Sequence, residues 1–133
     1  MLEALGNRME SISDQDIQYL IAVLASEESM LIDIVWEFEK WDCSDTSVLC
    51  ILTGLIEDDI ILVSKYSGKG FENLTKEDSI FSVSSWDKLR CKDLMLYLTK
   101  YGESRWDYDD WGISTERAHH LMFSNNDGIS RVR

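Results

Sequence analysis

The spacing of aliphatic residues over the first half of the chain constrains its fold most. Ile17, Leu20, Ile21 and Leu24 recur at i, i+3, i+4 and i+7, a stripe that buries one face of a helix. Ser13 and Asp16 stand at its start, offering a hydroxyl to the first free amides and an acid in the first turn, so a helix is predicted over 14–25. Leu31, Ile34, Val35 and Phe38 repeat the spacing behind Ser26, Glu27 and Glu28, which read as the start of a second helix ending near Trp41. Val48, Leu49, Leu52 and then Leu55 or Ile56 give a third, capped by Asp42 or Ser44 and closed by Gly54, a residue suited to left-handed backbone. The expected core comprises Ile17, Leu20, Ile21, Leu31, Val35, Phe38, Leu49, Leu52 and Leu98.

Beyond the third helix the pattern changes. The β-branched run from Ile60 to Val63 reads as a strand, and residues 66–70 as a loop. Thr75, followed by Glu77 and Asp78, caps a short helix through Ile80, Phe81 and Val83 that stops before Trp86. Residues 93–99 read as a second strand, with Leu94, Leu96 and Leu98 on one face and Met95 and Tyr97 on the other. Thr99 starts a further helix containing Glu103 and Trp106, broken by Asp110-Trp111-Gly112, and residues 114–123 form either a helix or a strand. The 133 residues, 15.4 kDa, suffice for one domain. It is expected over 13–124, between a flexible lead-in at 1–12 and a polar tail at 125–133. Proline is absent, so turns rely on Gly, Asn, Asp and Ser.

Three helices, a strand, an insertion, a strand and a helix follow one another as in a winged helix. Leu52-Thr-Gly-Leu-Ile56 resembles the end of a winged-helix third helix and its exit into the wing. Tyr97-Leu-Thr-Lys-Tyr-Gly102 with Trp106 resembles the signature of a last wing strand and the helix after it. Over residues 13–111 the chain is similar to short, acidic bacterial winged-helix-like immunity proteins, which neutralise toxins and carry a helix and a Trp between the two strands; residues 75–86 match that element. The resemblance implies an α/β (α+β) fold. Its parts are three N-terminal helices, a two-stranded wing with a helical insertion, and a C-terminal helix. The implied function is to block a toxin or nuclease by occluding its active or nucleic-acid-binding site.

Charge points the same way. Thirteen Lys and Arg face 25 Asp and Glu, giving a net charge of -12, which repels phosphate and favours a basic protein partner. Between Asp42 and Asp59 there is no Lys or Arg, against five acids, and the face carrying Asp45, Thr46, Ser47, Cys50 and Thr53 has no cation to hold phosphates. The competing reading, a winged-helix transcription-associated or DNA-binding regulator, requires folding to gather Lys65, Lys69, Lys76, Lys88, Arg90 and Lys92. No apolar run reaches the ~18 residues that span a bilayer, and residues 1–11 lack a signal peptide's apolar core. A cytoplasmic protein without membrane contact is expected.

Two places combine aromatic and acidic residues. Trp36 lies among Asp33 and Glu37, like charges at i, i+4 that cost an isolated helix a few tenths of a kcal/mol and so suggest an acidic face kept for binding. Trp111 follows Asp107, Tyr108, Asp109 and Asp110, either a solvated helix end or a mimic of phosphate and base. These supply the candidate partner-binding residues: Asp33, Trp36, Glu37, Asp107, Tyr108, Asp109 and Trp111. Cys43, Cys50 and Cys91 match no zinc spacing and read as reduced thiols. His119 and His120 are adjacent, so their side chains diverge. Nucleophile-elbow, P-loop and dinucleotide-binding motifs are missing. No catalytic residue, metal or cofactor is expected.

Overall fold

The computed structural model describes residues 9–107 and 112–124. Helix α1 (Asp14–Ser26) opens on a reciprocal cap: Ser13 Oγ accepts the Asp16 N–H at 3.2 Å and Asp16 Oδ2 accepts the Ser13 N–H at 2.9 Å. It closes with Glu28 in left-handed backbone (φ 56°), where Ser29 N–H reaches the Leu24 carbonyl and Glu28 N–H that of Ala25. Ser26, expected to start the second helix, therefore finishes the first, and its hydroxyl donates back to Val23. Helix α2 is shorter than expected, Leu31–Phe38, and Glu39 and Lys40 form a turn beyond it.

Helix α3 (Asp45–Glu57) is capped by Ser44, the second of the two candidates. Gly54 does not close it. The helix runs on to Glu57, and the left-handed position falls on Asp59 (φ 64°), with Ile60 N–H bonded to Leu55 and Asp59 N–H to Ile56. Ile60, the apolar residue after that bend, is buried, and it carries the chain directly into the sheet.

The sheet is antiparallel, in the order β2-β1-β3. Strand β1 (Ile61–Tyr66) pairs with β3 (Leu94–Leu98) from Ile61↔Leu98 to Lys65↔Leu94. It also pairs with β2 (Phe71–Asn73), so three strands replace the expected two. The hairpin turn joining β1 to β2 uses Gly68 and Gly70 at positive φ. Helix α4 (Lys76–Ser82) is capped by Thr75 as expected, and a 3-10 turn (Asp87–Arg90) leads into β3. Met30, between α1 and α2, bridges Met95 on the far side of β3, and Leu96 N–H bonds to the Ser29 carbonyl at 2.8 Å. Helices and sheet thus form one mixed α+β unit.

Thr99 and Gly102 lock helix α5 (Lys100–Asp107) to the start of β1. Thr99 Oγ1 accepts the Gly102 N–H at 2.9 Å, while Thr99 donates its hydroxyl to the Asp59 carbonyl and its N–H to that of Ile60. A Cβ on Gly102 would lie 2.1 Å from the Ile60 carbonyl oxygen. The Leu-Thr-x-x-Gly motif is therefore a packing motif: only glycine allows this approach of helix to backbone. Helix α6 (Thr115–His119) and a π turn (His120–Ser124) occupy the segment left open between helix and strand. Every expected core residue is buried except Leu49, which is half-buried on the outward side of α3. Most of the expected lead-in, residues 1–8, lies outside the described residues; of the rest, the Glu10 carbonyl accepts the Asp42 N–H and Ser11 bridges Asp42.

Candidate functional site

Of the seven candidate residues, the structure describes the side chains of three. Asp33 is half-buried and accepts the Met30 N–H at 3.1 Å, closing the start of α2. Glu37 is half-buried, accepts the indole N–H of the buried Trp41 at 3.0 Å and lies 3.6 Å from Lys40 Nζ. Their like-charge spacing has a structural reason that the sequence concealed: one acid caps the helix and the other satisfies a buried indole. Trp36 is different. Its ring is 53% exposed, and it is the one exposed large apolar side chain of α1–α3. Asp107 ends α5, and Tyr108, Asp109 and Trp111 lie outside the described residues.

The outward face of α3 decides how a nucleic acid would meet this chain. Asp45, Thr46 and Cys50 are exposed along it, and Thr53 is half-buried. Helix α4 packs alongside, leaving a groove of about 460 Å3 floored by Leu49, Cys50 and Gly54 and walled by Val83 and Ser84. The helix that would enter a DNA groove is thus partly flanked by the chain's own insertion and presents acids and small side chains.

Three of the six cations required for the DNA-binding reading are engaged by neighbouring side chains. Lys76 pairs with Asp59 at 2.7 Å, Arg90 with Glu39 at 3.4 Å, and Lys88 Nζ sits 3.2 Å above the Phe81 ring. The charges of the chain are unevenly distributed. Residues 10–60 contain 13 Asp and Glu and a single cation, Lys40. Residues 65–93 contain six Lys and Arg against five Asp and Glu. This segregation is visible in the sequence by counting along it, and it was hidden by the chain-wide total.

A third cluster joins the two ends of the described chain. Arg117 donates Nε and Nη2 to Asp16 at 3.2 and 2.8 Å and Nη1 to Glu10 at 2.8 Å; His120 Nε2 lies 2.6 Å from Glu10 Oε1. Burial pushes the Asp16 carboxyl up, but the Arg117 guanidinium and the Ser13 amide more than offset it and hold it below the usual range. The contacts with His120 and Arg117 hold Glu10 low as well. Burial raises the Cys43 and Cys91 thiols, with Asp42 and Asp45 adding to the effect at Cys43, so neither is poised as a thiolate. Among the described residues no group of His, Cys, Asp and Glu is gathered so as to hold a metal ion, and no helix is long and apolar enough to cross a membrane. Comparison with protein-family models, with curated proteins and with solved structures found no match to this chain.

Proposed function

We propose that the chain is a winged-helix-like protein-binding domain that neutralises a basic partner, as an immunity protein blocks a toxin or nuclease by covering its active or nucleic-acid-binding site. The observation that carries this reading is the charge of residues 10–60: 13 acids against Lys40, of which Glu10, Asp16, Glu39 and Asp59 meet a cation from elsewhere in the chain, on and between three helices that expose one large apolar side chain, Trp36. Such a surface attracts a cationic partner over a distance and repels nucleic acid. Trp36 supplies the kind of aromatic anchor around which interface energy concentrates. The order of the elements, with β1 and β3 antiparallel around a helical insertion, supports the winged-helix assignment. The acids flanking α3 support a protein partner over DNA.

Affinity capture from a native lysate, at low and at high salt, tests the reading. A basic protein released by salt, whose activity falls when the purified chain is added back, is the expected result. Retention of duplex DNA at low salt, with no basic protein recovered, would overturn it in favour of the regulator. Trp36→Ala should raise the rate of dissociation by about 30-fold, as removal of a ~2 kcal/mol anchor requires.

A further inference from the structure

We propose that the face of the insertion around Phe81 is a homodimer interface, occupied by a second copy of this chain. Phe81 is the most exposed large apolar side chain among the described residues, at 65%. It forms a ridge between two shallow grooves of about 350 and 360 Å3, and Phe81, Ser82, Cys91 and Leu94 line both. The half-buried Leu74 extends the apolar centre on one side. An exposed aromatic centre with grooves on either side is what an interlocking contact needs.

The charges around that centre identify the occupant. Lys88, Arg90 and Asp87 line one groove; Lys65, Asp78 and Asp93 line the other. Three cations and three anions therefore surround the apolar centre. In a two-fold interface the same patch meets itself, so a patch of one sign repels itself and a patch of both signs can pair with itself. Two copies of a chain with net charge -12 repel each other over most approaches. Within the insertion that repulsion is locally cancelled, because residues 65–93 hold six cations against five anions. A basic partner gains nothing from this balanced face and is drawn to α1–α3 instead. The interface is thus independent of the proposed neutralising function and uses different residues. Burial would also remove water from the Lys88 ammonium over the Phe81 ring, which strengthens that contact. The patch is small, at the weak end of interface sizes, so assembly should depend visibly on concentration.

Sedimentation velocity on the full chain over a wide concentration range tests the proposal. The mass should rise from the 15.4 kDa of one chain toward that of two. Phe81→Glu, at a side chain that solvent already reaches, should weaken the dimer by about 30-fold or more. Asp78→Lys with Asp93→Lys makes the rim one-signed and leaves the apolar centre alone; it should weaken the dimer too, and less so at high salt. Trp36→Glu should leave it unchanged. A chain that stays monomeric at the highest concentration would overturn the proposal. So would a dimer indifferent to both insertion variants, or one dispersed by Trp36→Glu.

Discussion

The three N-terminal helices and the insertion between β1 and β3 solve opposite problems. Residues 10–60 bury or half-bury all their large apolar side chains but Trp36 and carry 13 acids against one lysine. Residues 65–93 balance their charges and leave Tyr66, Phe71 and Phe81 exposed, three of the six exposed large apolar side chains of the described residues. The first region supplies most of the fold's core and sets its long-range field; the second adds Val83 and Leu89 to the core and offers contact area without net repulsion. The proposed steering and the proposed adhesion thus fall in different parts of the chain, and mutations test that separation from the strongest effect to the weakest.

The seam between the regions should be the most sensitive point. Gly102→Ala forces a methyl against the Ile60 carbonyl, and because both are backbone-anchored, neither can yield without moving β1 or α5. A loss of about 4 kcal/mol is expected in urea unfolding. Leu52→Ala, wholly buried on α3, should cost about 3 kcal/mol. Phe81→Ala should stay within about 0.5 kcal/mol, the range of ordinary surface substitutions. If Phe81→Ala approached Leu52→Ala in cost, Phe81 would be part of the core and the comparison would fail.

Arg117→Ala should fall between Leu52→Ala and Phe81→Ala. It leaves Asp16, 5% exposed, without its guanidinium, and Glu10 without one of its two partners. Because Arg117 is itself partly exposed, the loss should fall below the ~3–5 kcal/mol of a fully buried pair, at about 2 kcal/mol. The sign of the pH dependence follows from the two lowered carboxyls. Their stabilisation is present in full above the unfolded carboxyl pKa and disappears as pH falls through the lower folded values. Urea midpoints measured from neutral pH downward should therefore drop on the acid side for the native chain. Arg117→Ala should start lower and drop less.

What the sequence revealed and what it hid divide along physical lines. The stripe of α1, the Ser13–Asp16 cap, the Thr75 cap and the β1–β3 runs were legible because each rests on local spacing or a side chain reaching three residues along. Strand β2 was not, because Phe-Glu-Asn has no alternation and all three residues are exposed. Gly54 and Ser26 misled for a related reason. The left-handed bends fall at Asp59 and Glu28, two residues past the helix ends, where the chain's onward path decides the turn and the residue in it has to comply. Asp33 and Glu37 looked like a binding face because their partners, Met30 N–H and the Trp41 indole, become visible only when the turn around them is built. Arg117 meets Asp16 from 101 residues away, beyond any local pattern. The Leu-Thr-x-x-Gly motif, read as a mark of resemblance, has a purely structural role at the β1–α5 seam.

A small gain in stability gives the sharpest test of why acids are so dense in the helical region. Glu28 occupies left-handed backbone at the end of α1 and is exposed. Such backbone costs a residue with a side chain about 1–2 kcal/mol, whereas glycine adopts it freely and gives back ~0.5–1 kcal/mol through its greater freedom when unfolded. Glu28→Gly should therefore stabilise the chain by about 0.5–1 kcal/mol, read from the urea midpoint at neutral pH. It also removes one acid from the surface proposed to steer a basic partner, so association should slow slightly while dissociation stays the same. A gain in stability together with slower association would show this acid serving the field at the expense of the fold. A loss of stability would show Glu28 to be part of the helix end's own architecture, and the charge of α1–α3 would then need a structural explanation residue by residue, as Asp33 and Glu37 already have.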